Sequence, residues 1–297
     1  MVKNDLKIFK KKARGQECLV CALVDTLATR YNNKFNVLQF PMAIEIDNAA
    51  NTITFPFYSG RTYNDTWGNP SGGSRMGIEL SKEAATVLYD LSRIKIKPIE
   101  MYLEECKIQK YRFNFNSWIN EFDSEAVKFI DSSLLTKDDI RTADEIFKIP
   151  FDSRLIFNNG DFYPRNFIRE WKKVILIDWQ TWDGNYRVNL IDYQENVLAF
   201  CFIHMWDNHL WQLSFLKECQ KYFKFIPANF QKALLLKSFE QARFWFNGDG
   251  KNQLCKNQIK IFKNALDEEY INYLLDYTKP SPLQVFARFV RNKINKF

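Results

Sequence analysis

The chain has 297 residues, which is enough for one large domain or two smaller ones with a substantial buried core. Charged residues make up 26% and hydrophobic residues 46% of the sequence, a globular composition that excludes an intrinsically disordered protein. The formal charge of +7 permits an anionic ligand but is too small for a dedicated nucleic-acid binder, and only 10 glycines exclude a glycine-rich repeat.

The first 58 residues predict a small unit of strands and one helix. Leu6–Phe9 is a short strand-like run, and residues 14–31 carry apolar side chains at helical spacing. Residues 37–46 and 52–58 are apolar, β-rich runs joined by a polar connection, which is typical of a hairpin. This order of elements predicts a small strand–helix–strand–strand unit over residues 1–58.

The remainder of the chain, residues 59–297, is predicted to be mainly helical. A turn-rich loop precedes a first helix, and helical patterning continues over residues 116–148. A compact β-rich patch spans residues 154–178, and the sequence from residue 189 onward is almost wholly helical. We therefore predict an α+β fold with a small N-terminal β lobe, a large helical C-terminal lobe over residues 59–297, and a ligand cleft between them.

The cysteines and the apolar segments give no sign of a secreted or membrane protein. Cys18 and Cys21 form a C-x-x-C pair without a partner pair, and we interpret both thiols as small core residues rather than zinc ligands. The residues after Met1 lack the apolar run of a signal peptide, and the longest apolar stretch, residues 197–206, is too short to cross a membrane. We expect a cytoplasmic protein with no membrane partner.

Oxygen-bearing side chains flank a predicted strand between residues 161 and 178. Asp161 and Asn166 stand at opposite ends of a tight loop that Pro164 stiffens, and Asp178 follows the next strand. Two carboxylates and an amide oxygen that converge in this way form a hard-oxygen site suited to Mg²⁺, which takes few protein ligands and completes its shell with phosphate and water. The remaining carboxylate, Asp161, is then placed to orient a hydroxyl group and accept its proton.

Each half of this pattern also has a purely structural interpretation. The Asp-x-x-Pro-x-Asn segment can be a loop whose side chains bond their own backbone, and Ile177-Asp178-Trp179 can be the end of a strand. Because the two motifs lie close together with one strand between them, their combination favours the metal site over two independent structural features.

The same segment resembles the catalytic loop and metal-binding strand of the aminoglycoside phosphotransferase and choline kinase group of protein-kinase-like enzymes. The pattern of that family is roughly H-G-D-x-x-P-x-N, a strand, and then I-D with an aromatic residue. The matching residues of this chain are Gly160, Asp161, Pro164, Asn166, Ile177, Asp178 and Trp179. Asn159 replaces the leading histidine of the family. The resemblance implies that Asp161 is the catalytic base and that Asn166 and Asp178 hold Mg²⁺, and it covers roughly residues 5–205.

The resemblance also implies a phosphate-binding lysine on a strand, paired with a glutamate on a helix. Lys7 lies in a run that resembles the lysine-bearing strand of the family, and Glu17 opens the following helix. Lys10 is the alternative, since on a two-residue period it shares a face with the apolar residues 6 and 8. We favour Lys7 because its greater separation from Glu17 leaves room for the turn into the helix.

Residues 53–60 resemble the last strand of the small lobe and the hinge of this family. The resemblance implies that backbone groups near Phe57 and Tyr58 bind the edge of the adenine. The implied cofactors are ATP, or GTP, and Mg²⁺.

The sequence departs from the family pattern where the phosphates would be covered. Active kinases of this type have a β-hairpin before the lysine strand, whereas this chain begins at that strand. The resemblance therefore implies a two-lobed protein-kinase-like fold with a reduced N-terminal β lobe and a large helical C-terminal lobe. Its one glycine cluster, residues 68–77, lacks the Lys-Ser/Thr ending of a P-loop, and we interpret it as a surface loop. The open alternatives are an incomplete chain, a minimal kinase and a pseudokinase.

We predict a kinase that transfers the γ-phosphoryl group of ATP to a hydroxyl group of a small aminoglycoside-, choline- or sugar-like molecule. Asp183, Glu195 and Asp207 favour a cationic acceptor if they line the cleft, and otherwise form a solvated acidic face. The alternative function is a non-catalytic nucleotide-binding pseudokinase or scaffold protein. No nucleic-acid partner is expected.

Overall fold

The computed structural model describes residues 7–62, 75–108, 111–179, 189–205, 208–248, 250–279 and 281. The chain divides into two compact units. The first unit comprises residues 1–113 and 155–192, and the second comprises residues 114–154 and 193–297. The α+β fold class predicted from the sequence is confirmed. The sequence predicts a boundary between two lobes near residue 58. That boundary divides the chain differently from the two compact units, and it stays a prediction.

Small sheets dominate the first unit. The described strands are β1 (Ile8–Lys12), β2 (Leu38–Gln39), β3 (Glu45–Asp47), β4 (Thr52–Pro56), β5 (Arg61–Thr62), β6 (Leu155–Phe157), β7 (Phe167–Glu170), β8 (Lys173–Leu176) and β9 (Ile191–Tyr193). They pair in the orders β1-β4-β3, β2-β8-β7-β5 and β6-β9. β2 runs parallel to β8, whereas β7 and β8 form an antiparallel hairpin. The β-rich patch predicted over residues 154–178 is therefore distributed over two of these sheets.

The first helix covers one face of the β1-β4-β3 sheet. The described helices of this unit are α1 (Glu17–Tyr31), α2 (Arg75–Ser92) and α3 (Ile96–Glu105). Cys18 and Cys21 of α1 are buried with Ala13 and Ile53 in one apolar cluster. Both thiols are free, as expected for small core residues.

The register of β1 decides which of its lysines faces the helix. Phe9 lies opposite Phe55, and Lys11 lies opposite Ile53, which is fully buried. Because side chains alternate along a strand, Phe9 and Lys11 share the inner face and Lys10 points to the other side. The strand predicted over Leu6–Phe9 thus begins and ends later than expected, and the run of lysines lies within it.

The predicted hairpin is present, although its first strand is shorter than expected. β3 pairs with β4 in antiparallel register, and the turn between them ends at Asn51 with φ 52°. In this turn the Asp47 side chain accepts a hydrogen bond of 2.9 Å from the Ala50 N–H. Residues 37–46 form two strands, β2 and β3, rather than one, since Pro41 between them has no N–H to give to a ladder.

The second unit is built from helices. Its described helices are α4 (Phe115–Asp131), α5 (Lys137–Lys148), α6 (Gln194–Ile203), α7 (His209–Tyr222), α8 (Pro227–Phe244), α9 (Gln253–Leu266) and α10 (Glu268–Tyr277). The helical pattern predicted over residues 116–148 is interrupted at Ser133, which has φ 59°. Thr136 then starts α5 with a capping box that Asp139 completes. Within the described ranges, no helix combines the length and the apolar character needed to span a bilayer.

Aromatic rings fill the interior of the second unit. Phe122 of α4 lies 4.6 Å from Phe239 of α8 and 5.1 Å from Phe147 of α5, measured between ring centroids. Trp118 and Phe262 join the same group from α4 and α9. The edge-to-face geometry of several of these pairs is the arrangement that aromatic quadrupoles prefer, so these rings determine how the helices pack.

Candidate functional site

The loop after β6 brings Asp161 and Asn166 into contact. Gly160 precedes the aspartate with φ 77°, a left-handed conformation that glycine adopts without steric cost. Pro164 opens a single 3₁₀ turn, in which the Asn166 N–H donates to the Tyr163 carbonyl over 2.9 Å. The side-chain amide of Asn166 then donates to Oδ2 of Asp161 over 3.0 Å and to the Asp161 carbonyl over 2.8 Å. The sequence argument placed these two side chains together, and they are in direct contact.

Asp178 follows β8 at the point where the chain leaves the strand. The N–H of Ile177 donates to the Asn166 carbonyl over 3.0 Å, so the end of this strand is bonded to the Asp161 loop. Asp178 itself has φ 60°, which is uncommon for a residue other than glycine. Strained backbone of this kind persists where the surrounding structure holds it, and it is frequent at functional sites.

Trp179 fixes the chain immediately after Asp178. Its ring is buried and lies 5.0 Å from the ring of Phe157 and 5.4 Å from that of Phe40. Its Nε1–H donates to the Leu176 carbonyl over 2.7 Å. The aromatic residue of the I-D-W motif therefore anchors the left-handed turn that carries the carboxylate.

Asn159 joins the two segments that carry the carboxylates. Its side chain is 0% exposed, and its amide donates to the Ile177 carbonyl over 2.9 Å and to the Asp161 carbonyl over 3.3 Å. One small side chain therefore bonds the backbone beside both aspartates. Sequence analysis identified this residue only as a replacement for a histidine, without assigning it this role.

Lys11 is one of the cations of the site. Its ammonium forms an ion pair with Glu17 at the start of α1 and lies 3.3 Å from Oδ1 of Asp178. Burial by itself lowers the pKa of Lys11, but hydrogen bonds and charge from the two carboxylates more than offset this effect and raise it above its ordinary value. The lysine is thus held in its charged form between the helix and the end of the β8 strand.

The predicted pairing of Lys7 with Glu17 is wrong, and Lys10 is not the partner either. Lys7 is exposed before β1, where its carbonyl accepts a 2.8 Å hydrogen bond from the Phe57 N–H, and Lys10 is exposed on the other face of the strand. Lys11 pairs with Glu17 because it is the inner-face residue of β1 nearest the start of α1. A tighter turn than expected connects the two elements.

A cavity of about 590 Å³ lies beside these residues. Part of its lining is aromatic and comes from Phe9, Phe55, Phe57 and Tyr58. The charged and polar part consists of Lys11, Glu17, Arg165, Asn166 and Asp178. Its volume is within the range typical of small-molecule sites, which combine apolar walls with a few convergent polar groups.

Both predicted hinge residues, Phe57 and Tyr58, line this cavity. The N–H of Phe57 is already bonded to the Lys7 carbonyl, so a base edge in this cavity must use other groups. The Tyr58 hydroxyl accepts a 3.2 Å hydrogen bond from the Met42 N–H, which fixes the ring at the cavity wall. Their position agrees with the resemblance, whereas their role in binding stays a prediction.

Burial controls the protonation of Asp161, whose side chain is almost fully enclosed. Loss of hydration raises the pKa of this carboxyl from 3.8 to about 7, and the negative charge of Asp178 adds to the rise. The hydrogen bond from Asn166 and the positive charge of Arg165 act in the opposite direction. A carboxyl that titrates near neutral pH is suited to exchange protons with a ligand.

Asn166 and Asp178 offer donor atoms that fit Mg²⁺. The amide nitrogen of Asn166 is used by Asp161, so the remaining heteroatom of this side chain is an oxygen, and Asp178 supplies a carboxylate that lines the same cavity. Among the residues described, no three His, Cys, Asp or Glu side chains are grouped to hold a metal ion. Mg²⁺ commonly binds through one or two side chains and completes its shell with phosphate and water.

The acidic residues predicted to attract a cationic acceptor receive no support as a group. Asp183 and Asp207 lie outside the described residues, as do positions 68–74 of the glycine cluster. Glu195 belongs to the second unit, where it is buried at the start of α6 and accepts a hydrogen bond from the Ser153 hydroxyl. Burial raises its pKa to about 7, so it is not a fully charged carboxylate at neutral pH.

Sequence analysis missed two further residues of the site, Lys11 and Arg165. The two-residue alternation that starts at Phe9 identifies Lys11 once the strand is known to extend to residue 12. Arg165 occupies a variable position of the quoted motif, between Pro164 and Asn166, and no sequence signal marked it.

No protein-family model and no curated protein matches this sequence. Solved structures do match its fold. A choline/ethanolamine kinase family protein from Mesorhizobium loti matches with a TM-score of 0.55 over 92% of this chain and 86% of its own, at 10% identity. The GDP and kanamycin complex of APH(2″)-IIia matches with a TM-score of 0.54 over 87% of this chain and 86% of its own, at 11% identity. The streptomycin–ATP–APH(2″)-IIa ternary complex matches with a TM-score of 0.50 over 87% of this chain and 88% of its own, at 15% identity.

These matches confirm the resemblance at the level of the fold. The chain has the protein-kinase-like fold of choline/ethanolamine kinase-like proteins and aminoglycoside phosphotransferases. The sequence identities are so low that the likeness extends to the fold alone.

Proposed function

We propose that this chain with the protein-kinase-like fold is a small-molecule kinase, which transfers the γ-phosphoryl group of ATP to a hydroxyl group and uses Mg²⁺. The observation that carries the proposal is the contact series from Glu17 through Lys11 to Asp178, next to the bonded pair Asp161 and Asn166. A cation and two oxygen ligands thus line one cavity, and the proposed proton acceptor is hydrogen-bonded to one of these ligands. A purely structural loop requires none of these buried charges.

The aromatic part of the cavity suits a nucleobase. Phe9 and Phe57 are 53% and 55% exposed although both line the cavity, so a flat ligand seated there would bury their rings. Stacking and burial of aromatic surface are favourable and tolerate either adenine or guanine. Lys11 is then the residue that binds the α- and β-phosphates, in place of the predicted Lys7.

Asn166 and Asp178 are the residues that would hold Mg²⁺. The ion, when bound, neutralises phosphate charge and orients the γ-phosphoryl group. Lys11 keeps one oxygen of Asp178 in place, and Asn159 bonds the backbone on both sides of the site. The chain's own residues therefore position the ligands before the nucleotide arrives.

Asp161 is the residue proposed to accept the proton of the acceptor hydroxyl. The acceptor oxygen forms a bond to the γ-phosphorus, and the bond from the γ-phosphorus to the bridging oxygen breaks with its electron pair retained by ADP. The released proton passes to the Asp161 carboxylate, whose pKa of about 7 suits an acceptor at neutral pH. The hydrogen bond from Asn166 holds this carboxylate in position.

The acceptor class is a small molecule with a hydroxyl group, such as an aminoglycoside, an amino alcohol like choline, or a sugar. Two of the similar structures contain streptomycin or kanamycin, and another is a choline/ethanolamine kinase family protein. These ligands define the first acceptors to test rather than the acceptor itself.

The test is an ATP-consumption assay with Mg²⁺ over a panel of these acceptors. Replacing Asp161→Asn is expected to lower turnover by about 10²–10⁴-fold, the usual contribution of a general base. Asp138→Asn, an exposed change in α5, is the matched control and is expected to leave turnover unchanged. Turnover that survives Asp161→Asn would contradict the assigned role. Stabilisation by Mg·ATP without turnover of any acceptor would instead indicate a non-catalytic nucleotide-binding protein.

A further inference from the structure

Arg165 is a charged residue of the cavity to which the proposed function assigns no role. It lies in the 3₁₀ turn directly before Asn166, and it lines the same cavity as Lys11 and Asp178. Lys11 is engaged by Glu17 and Asp178. No carboxylate among the residues that the structure describes forms an ion pair with Arg165, so its charge is available to a ligand.

The position of Arg165 is determined by the loop that carries the proposed base. Pro164 opens the turn, and the hydrogen bond from the Asn166 N–H to the Tyr163 carbonyl closes it around Arg165. The charge of the guanidinium acts on the Asp161 carboxyl and on the Tyr163 hydroxyl, so Arg165 lies near both groups. Along the chain, Arg165 thus stands between the residue proposed to accept the proton and one of those proposed to hold the metal.

Of the two cations that line the cavity, only Lys11 is held by carboxylates. Lys11 and Arg165 are balanced by Glu17 and Asp178, so these four side chains carry no net charge together. Because Lys11 already contacts both carboxylates, Arg165 is the side chain that can turn toward phosphate oxygens without breaking an ion pair. A planar guanidinium with several N–H donors matches the oxygens of a phosphoryl group.

We propose that Arg165 binds the γ-phosphoryl group of the nucleotide and stabilises the charge on its oxygens during transfer. The inference rests on the proposed kinase function and adds a catalytic residue to it. Arg165 donates hydrogen bonds to the non-bridging γ-oxygens and forms no covalent bond, so the bonds made and broken are those of the phosphoryl transfer itself. A diphosphate lacks the group that Arg165 contacts.

The test compares a diphosphate with a triphosphate analogue. Binding of Mg·ADP and Mg·AMP-PNP is measured by calorimetry for the wild type, Arg165→Ala and Arg165→Lys. Arg165→Ala is expected to weaken Mg·AMP-PNP by about tenfold, as for loss of a charge-assisted hydrogen bond, and to leave Mg·ADP unchanged. Arg165→Lys keeps the charge without the planar fork and is expected to restore part of the difference.

Turnover provides the second readout. In Arg165→Ala the KM for ATP is expected to rise by about tenfold, in line with the weaker binding, and kcat is expected to fall by about 100-fold, because the contact is strongest while the phosphoryl group is transferred. The matched control is Arg30→Ala, which removes an exposed arginine of α1 that does not line the cavity. If Arg165→Ala does not fold, Arg165→Gln removes the charge while keeping a polar side chain of similar length, and it carries the same comparison.

The outcomes separate this inference from the proposed function. A wild type that binds both nucleotides, with an Arg165→Ala variant that weakens both equally or neither, overturns the role of Arg165 alone. A wild type that binds neither nucleotide overturns the kinase proposal, and the role of Arg165 with it. Selective loss of Mg·AMP-PNP binding together with the fall in kcat supports both.

Discussion

Each unit contains a lysine that is largely removed from water, and the pKa values of these two lysines shift in opposite directions. Lys11 of the first unit is held between Glu17 and Asp178, and these carboxylates raise its pKa. Lys232 of the second unit lies in α8, is 0% exposed, and has its pKa lowered to about 8 by burial. The first lysine is kept charged, whereas the second loses hydration and no carboxylate of the described residues offsets the loss.

Aromatic rings surround the second lysine. The ammonium of Lys232 lies 5.1 Å from the ring centroid of Phe115 and 5.3 Å from that of Phe151. It also approaches the Phe147 carbonyl at 3.5 Å. Cation–π contacts recover only part of the lost hydration, so the arrangement serves packing in a ring-filled core rather than ligand binding.

The difference indicates that the two units are specialised. The first unit contains buried carboxylates, a buried amide and an aspartate with a left-handed backbone conformation. Each of these features lowers stability, and such features are frequent at functional sites. The second unit also buries polar side chains, Glu195 and Lys232 among them, but aromatic rings form the centre of its packing. Substitutions in the first unit should therefore change function more than stability, and those in the second should change stability more than function.

The largest effect is expected in the aromatic core of the second unit. Phe239→Ala removes a buried ring that contacts Phe122 at 4.6 Å and should lower the free energy of unfolding by about 3–5 kcal/mol. Phe244→Ala, an exposed change on the same helix, should cost less than about 1 kcal/mol. Urea denaturation measures both. Equal losses for the two variants would contradict the assignment of the core.

A smaller effect, on function, is expected at Lys11. Lys11→Met should weaken Mg·ATP binding or turnover by about 100-fold, since the charge that contacts Glu17 and Asp178 is lost. Lys10→Met on the same strand is the matched control and should behave as wild type. Calorimetry and steady-state kinetics measure the pair. Loss of activity in Lys10→Met, with activity retained in Lys11→Met, would instead identify Lys10 as the phosphate-binding lysine.

The pH dependence of the free energy of unfolding should reveal the lowered pKa of Lys232. Its pKa falls from 10.5 to about 8 on folding, so between these values the unfolded chain binds more protons and the free energy of unfolding rises with pH. Lys232→Met should be about 1–3 kcal/mol more stable than wild type at pH 7, and this gain should shrink as the pH approaches 10.

The matched control is Lys260→Met, an exposed change in α9, for which no such pH-dependent difference is expected. Urea titrations from pH 6 to 10 provide the measurement. A Lys232→Met variant whose stability parallels that of wild type at every pH would show that burial does not lower the pKa of this lysine.

The smallest effect is expected at Asn159. Asn159→Ala removes the two hydrogen bonds that join the Asp161 and Ile177 backbones and should lower kcat by about tenfold with KM nearly unchanged. Asn159→His, which retains a ring N–H donor, should recover part of the loss. Asn48→Ala in the exposed β3–β4 turn is the control. A fall in thermal stability with no change in kcat would assign Asn159 a purely structural role.

The parts of the site that the sequence predicted are those formed by neighbouring residues. Asp161 and Asn166 are separated by a short loop, and Gly160 and Pro164 have backbone preferences that bend this loop in one way. A few consecutive residues are therefore sufficient to predict the contact between these two side chains. The hairpin of β3 and β4 is predictable for the same reason, because its polar turn follows and precedes β-rich runs.

The parts that the sequence did not predict depend on register. Lys7, Lys10 and Lys11 are equivalent as residue types, and which of them meets Glu17 depends on where β1 begins and on its pairing with β4. Helix and strand ends are the least certain part of any sequence-based assignment, since local preferences there are weak.

The sequence by itself determined the α+β class, the Asp161 loop and the aspartate that ends the β8 strand, because short-range hydrogen bonds and residue preferences act within a few positions. Tertiary structure alone decided that Lys11 meets Asp178, 167 residues away along the chain. It also decided that Arg165 lines the cavity and that Lys232 lies among rings. These contacts join distant segments, and their free energy is realised only after strand register and helix packing have brought the segments together.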